Sequence, residues 1–155
     1  MLHVGDTPAD FTLDDQQGRP VSWSAQRGHW VVLFAYPKAS TPGCTTEACD
    51  FRDLSGAFGA LGARVFGISA DSIKRQSNFT AKHALNMPLL SDTDHLVLEP
   101  WGIWAEKKNY GRTYMGIVRT TFLFAPDGSL AHAWRNLRVK GHVDKVLSTL
   151  TQLSG

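Results

Sequence analysis

His29-Trp30-Val31-Val32-Leu33-Phe34-Ala35-Tyr36 runs directly into Pro37-Lys38-Ala39-Ser40-Thr41-Pro42-Gly43 and then into Cys44-Thr45-Thr46-Glu47-Ala48-Cys49. The first stretch is continuously apolar, the pattern of a strand covered on both faces. Two prolines and a glycine make the second irregular. Past Cys44 the apolar residues Phe51, Leu54, Phe58 and Leu61 recur at helical spacing, which predicts a helix from Cys44 to about Leu61. A buried strand, a tight loop and a helix opening on a cysteine are the unit from which the rest of the chain is read.

Working outward, Phe11–Leu13 and Val21–Trp23 flank a turn-rich stretch and predict a β-hairpin. Ala63–Ala70 is a second buried strand, and Asp71 or Ser72 caps a helix through about Ala84. Met87–Leu90 reads as a short strand and Asp94–Trp101 as a short helix, while Ala105–Tyr114 is a polar stretch without apolar periodicity. Val118–Ala125, the Pro126-Asp127-Gly128 turn and Leu130–Trp134 form an antiparallel pair, and Val143–Leu153 is a closing helix. No repeat or linker interrupts residues 1–155, so they read as a single domain. Parallel strands joined by helices, then an antiparallel pair and a last helix, predict a thioredoxin-like α/β sandwich of three layers with an N-terminal β-hairpin extension.

Composition excludes several classes. With 43% hydrophobic and 19% charged residues among 155, the chain is neither disordered nor low-complexity. A net charge of +2, from 16 basic and 14 acidic residues, argues against a nucleic-acid binder. No apolar run approaches the roughly 20 residues of a membrane-spanning helix, and no basic cluster with an apolar core opens the chain. The expected compartment is therefore the cytoplasm, where thiols stay reduced.

That places weight on Cys44 and Cys49, the only two cysteines. So small a loop is a poor structural staple, and in a reducing compartment such a pair is more often catalytic, redox-sensing or metal-binding. Zinc would need two further ligands, and only His29 lies within reach in sequence. A helix N-terminus favours the thiolate, which is the nucleophile. Yet lowering a thiol's pKa from about 8.5 to about 6 gains only about two- to threefold in rate at neutral pH, because intrinsic nucleophilicity falls as ionisation rises. Other groups must stabilise the transition state. Residues five apart on a helix have Cα atoms roughly 8–9 Å apart, beyond the roughly 7 Å that a disulfide tolerates, so pairing these cysteines requires the first turns to unwind.

The stretch Tyr36–Cys49 resembles the active-site segment of the peroxiredoxins, with Pro37, Thr41 and Cys44 standing in its Pro-x-x-x-Thr-x-x-Cys motif. Thr-Pro-Gly-Cys-Thr, the gap to Cys49, Trp104–Lys107, Gly111–Gly116, Arg119–Leu123 and Val139–Val143 are similar to the bacterioferritin comigratory, or Q-type, subgroup. The resemblance implies that Cys44 attacks the peroxide, Thr41 orients it and Arg119 holds thiolate and peroxide oxygens. Pro37 and Pro42 would shape the pocket, Glu47 would orient Arg119, and Cys49 would resolve the sulfenic acid as an intramolecular disulfide. It further implies peroxide substrates, thioredoxin or a similar dithiol protein as reductant, and no cofactor: no metal, haem, flavin or nucleotide. With no obvious assembly element in the sequence, the expected state is a monomer or a weakly associating chain. The polar face of Lys107, Lys108 and Arg112 reads as solvated, with docking of an acidic reductant as the sharper alternative. Trp101 and Trp104 read as packing residues, with a place beside the site as the sharper alternative. Two rivals share the chemistry. A disulfide reductase on the same fold lacks its Cys-x-x-Cys spacing here, and a redox sensor would consume one peroxide per chain where a peroxidase consumes many.

Overall fold

A computed structural model describes residues 1–155. Its sheet grows from the strand that opened the reading. β3 (Trp30–Ala35) lies parallel to β4 (Ala63–Ser69) on one side and antiparallel to β8 (Thr120–Phe124) on the other. β5 (Leu89–Ser91) extends the parallel side, and β9 (Leu130–Arg135) the antiparallel side. The hairpin of β1 (Thr12–Asp14) and β2 (Pro20–Ser22) attaches at the far edge through Asp14 opposite Ser91. The full order is β2-β1-β5-β4-β3-β8-β9.

Alternation along β3 sorts the core into two halves. Val32, Phe34 and Tyr36 face four helices: α1 (Pro42–Asp53), α2 (Ser55–Ala60), α3 (Ile73–His83) and α4 (His142–Ser154). Val31, Leu33 and Ala35 face an aromatic cluster that includes Phe11, Trp23, Trp101, Phe122 and Phe124. The third layer is thus built from turns and N-terminal chain, with one 3-10 turn at Ser24–Gln26, and contains no α-helix. No helix is long and apolar enough to cross a membrane.

Three expectations change. The predicted helix over Asp94–Trp101 is a run of turns, because buried Asp92 takes the amides of Leu96, Val97 and Leu98 at 2.7, 2.9 and 2.9 Å and gathers the chain around one carboxylate. The helix expected from Cys44 to Leu61 starts two residues earlier, at Pro42, and is broken into α1 and α2 at Leu54, whose ψ is 11°, ahead of a short second helix with two glycines of weak helical propensity. The polar stretch after Trp104 is a hairpin, β6 (Trp104–Asn109) with β7 (Arg112–Ile117), standing outside the main sheet. Tyr110 and Gly111 turn it with φ of 50° and 76°, the two positive angles of a type I′ turn.

Candidate active site

The loop after β3 delivers α1 with its N-terminus at the carboxyl ends of the parallel strands. Thr41 is the N-cap and Pro42 the first helical residue, where a missing N–H costs nothing. Cys44 therefore lies in the first turn, among backbone N–H groups that have no partner within the helix. Its side chain is 1% exposed.

Arg119 reaches this sulfur from the short connection between β7 and β8. Its Nη2 lies 3.3 Å from Cys44 Sγ, and its Nη1 donates to Glu47 Oε1 at 2.8 Å. Glu47 is one helical turn beyond Cys44 and fully buried, so one guanidinium fork spans the thiol and the carboxyl. The second oxygen, Glu47 Oε2, has no partner. Burial outweighs the attraction of Arg119 and pushes this carboxyl up to about 7, since a desolvated carboxyl resists ionisation. Arg119 itself is held firmly charged: its own burial opposes this, but Glu47 and Cys44 together outweigh it.

The remaining expected residues are placed as follows. Pro37 is half-buried at the start of the loop. The Thr41 hydroxyl caps no helical amide and instead donates to the Lys38 carbonyl at 2.7 Å. Since its one proton is committed there, its lone pairs are left to accept. Cys49 is half-buried further along the same helix, and both cysteines are free thiols. Cys44, Glu47 and Arg119 are thus joined directly, while Thr41 and Cys49 share their helix without touching that chain of bonds.

Two residues were not anticipated. Gly43 leaves room for the guanidinium, because a Cβ there would lie 3.2 Å from Arg119 Nη2. Lys107 does not join a solvated face. Its stem crosses β7 at Gly116, where a Cβ would meet Lys107 Cδ at 3.1 Å, and its ammonium donates to the Ile117 carbonyl at 2.9 Å. Burial, together with Arg119, lowers its pKa. Nothing in the local sequence pattern marked it, since the hairpin that carries it lacks apolar alternation. Trp101 lies in the aromatic cluster across the sheet from Cys44, and Trp104 packs against that cluster with its ring on His95, centroids 4.0 Å apart, so neither flanks the thiol.

The AhpC/TSA family model matches residues 4–133. Peroxiredoxin Bcp of Bacillus subtilis (strain 168) is 43% identical over 153 residues, covering 99% of this chain and 98% of that protein. The bacterioferritin comigratory protein of Xanthomonas campestris, whose structures concern its alkyl peroxide reduction activity, superposes with a TM-score of 0.93 at 41% identity, covering 98% of this chain and 99% of that one. A mutant of PrxQ from Xylella fastidiosa superposes with a TM-score of 0.95 at 33% identity, covering 100% and 99% of the two chains.

Proposed function

The chain belongs to the AhpC/TSA family, as a peroxiredoxin of the bacterioferritin comigratory or Q-type kind, and on that premise we propose that it reduces hydrogen peroxide and organic hydroperoxides at Cys44. The Cys44 thiolate attacks one peroxide oxygen. An S–O bond forms as the O–O bond breaks, sulfur gives up two electrons, and the departing oxygen takes a proton and leaves as water or an alcohol. Cys49 then attacks the sulfenic acid, forming the S–S bond and releasing water. A dithiol protein such as thioredoxin returns two electrons and two protons.

The single observation that carries this reading is the Arg119 fork, 3.3 Å from the sulfur and braced by Glu47 at 2.8 Å. Negative charge builds on the departing oxygen while the thiolate is consumed, and a fixed cation beside both is the group that the reaction needs. Thr41, with its proton spent on Lys38, accepts from the peroxide O–H and so turns the O–O bond toward sulfur. Pro37, half-buried at the start of the loop, is assigned to shaping the loop side of the site. Both cysteines lie on α1, so resolution needs no second chain, which supports a monomer.

Stopped-flow tryptophan fluorescence of the reduced protein with hydrogen peroxide, alongside Cys49→Ser, tests the scheme. A fast phase in both, followed by a slower phase only in the parent, is expected. No fast phase in either, with thiol titration showing Cys44 still reduced, overturns it. Many peroxides consumed per chain in the presence of reductant separates the peroxidase from a sensor.

A further inference from the structure

Beneath the loop that precedes α1 lies a buried polar network that the reaction scheme does not use. Asp71 stands just past the end of β4, 7% exposed, and its Oδ2 accepts from the amide of Ala39 at 2.8 Å and from Ser69 Oγ at 2.7 Å. Ser69 Oγ in turn accepts from Gln76 Nε2 at 2.8 Å, and Gln76 Oε1 accepts from the Tyr36 hydroxyl. Of the amides from Lys38 to Thr41, only that of Ala39 has a hydrogen-bond partner. The hydrogen bond to the buried Asp71 carboxyl is therefore the one tether made by an amide of this loop. The loop also carries Ser40 at a φ of 66°, a strained setting that its surroundings must hold in place.

The tether acts on a particular peptide plane. The amide held by Asp71 and the carbonyl that receives the Thr41 hydroxyl belong to the same unit, the Lys38–Ala39 peptide. That unit is rigid and planar, so fixing its N–H fixes the direction of its C=O. The carbonyl then fixes where the Thr41 proton points, and hence where the Thr41 lone pairs point. We propose that Asp71 is a positioning residue for the peroxide step: through the Lys38–Ala39 peptide it sets Thr41 as a hydrogen-bond acceptor for the substrate. Ser69 and Gln76 hold Asp71 in place from β4 and α3, which spreads the constraint into two elements of the core. The inference rests on the reading that Cys44 attacks peroxide and Thr41 orients it.

A double-mutant cycle tests it, with two reactions of Cys44 as readouts: attack on hydrogen peroxide, which uses Thr41, and alkylation by iodoacetamide, which does not. Asp71→Ala is expected to slow the peroxide reaction about tenfold while leaving alkylation within about twofold of the parent. Thr41→Val is expected to do the same, and the double variant to lose less than a further twofold or so, because coupled residues are not additive. Asp71→Asn keeps an oxygen acceptor for Ala39 and is expected to recover most of the rate. Losses that multiply, an unchanged peroxide rate in Asp71→Ala, or alkylation slowing in step with peroxide would each overturn the inference. Should Asp71→Ala not fold, hydrogen exchange of the parent decides. The Ala39 amide must be protected well beyond those of Lys38 and Ser40, and an equally fast exchange of all three sinks the idea. Failure of the underlying reading looks different, since the parent itself would then show no fast peroxide phase.

Discussion

At Gly43 the absence of a side chain is part of the site. The helical backbone there would accept alanine, a better helix former by roughly 1 kcal/mol. A Cβ, however, would lie 3.2 Å from Arg119 Nη2, the nitrogen that reaches Cys44 Sγ at 3.3 Å. Gly43→Ala is therefore expected to hold or raise the melting temperature while lowering the peroxide rate about tenfold, read by thermal melts and stopped flow on one preparation. An unchanged rate would mean that the fork has room to spare. Arg119→Ala removes the donor outright and should cost roughly 10²–10³-fold, in line with other single donors to developing negative charge. The resemblance pointed to Cys44, Thr41, Glu47 and Arg119 as candidates, and of these Cys44, Glu47 and Arg119 meet in the fold. Gly43 was not legible in the sequence, because its constraint comes from Arg119, far along the chain, and sequence pattern carries no such distance.

Among the elements, α1 sets the order of events. It runs unbroken from Pro42 to Asp53 and carries both cysteines, so the Cys44–Cys49 bond cannot form while the helix is intact. On oxidation to the disulfide, the amides of residues 44 to 52 are expected to lose much of their protection from hydrogen exchange, while β3 and β4 keep theirs. Retention of every one of these protections would show that the sulfurs meet some other way. The helix was readable from apolar spacing, although its true start was hidden because Pro42 looks like loop until Thr41 is recognised as its cap. The hairpin of β6 and β7 was missed for a related reason. It stands outside the main sheet, with Tyr110, Tyr114 and Met115 left exposed, so it lacks the apolar alternation that burial imposes. The expected helix over Asp94–Trp101 failed because one buried carboxylate, Asp92, overrode local pattern.

Across the whole molecule, two buried groups pull stability in opposite directions with pH. Glu47 has its folded-state pKa raised from 4.5 to about 7 by burial. The folded chain then holds a proton that the unfolded chain releases, so this contribution is full below about 4.5 and is lost as pH rises through about 7. Asp50, raised by burial and by Asp53 and Asp144, adds to the same side at lower pH. His142 behaves oppositely. It is 3% exposed, bonded to Thr121 Oγ1 at 2.8 Å, and burial with Lys145 and Arg119 nearby lowers its pKa from 6.5 to about 4. Its contribution is full above about 6.5 and is lost as pH falls through about 4. Between about pH 5 and 6.5 the two slopes offset each other, and the parent's stability should be nearly flat. Glu47→Gln, which keeps an oxygen acceptor for Arg119, exposes the His142 slope, and its melting temperature should drop on the order of 5 °C from pH 7 to pH 5. His142→Gln exposes the Glu47 slope, and its melting temperature should rise over the same interval. Melts of the three reduced proteins across pH 4–8 check this, and parallel profiles would mean that these groups do not govern the balance. The same proton on Glu47 sits at the far end of the Arg119 fork, so the peroxide rate of the parent is expected to change across the pH interval in which the stability contribution of Glu47 is lost.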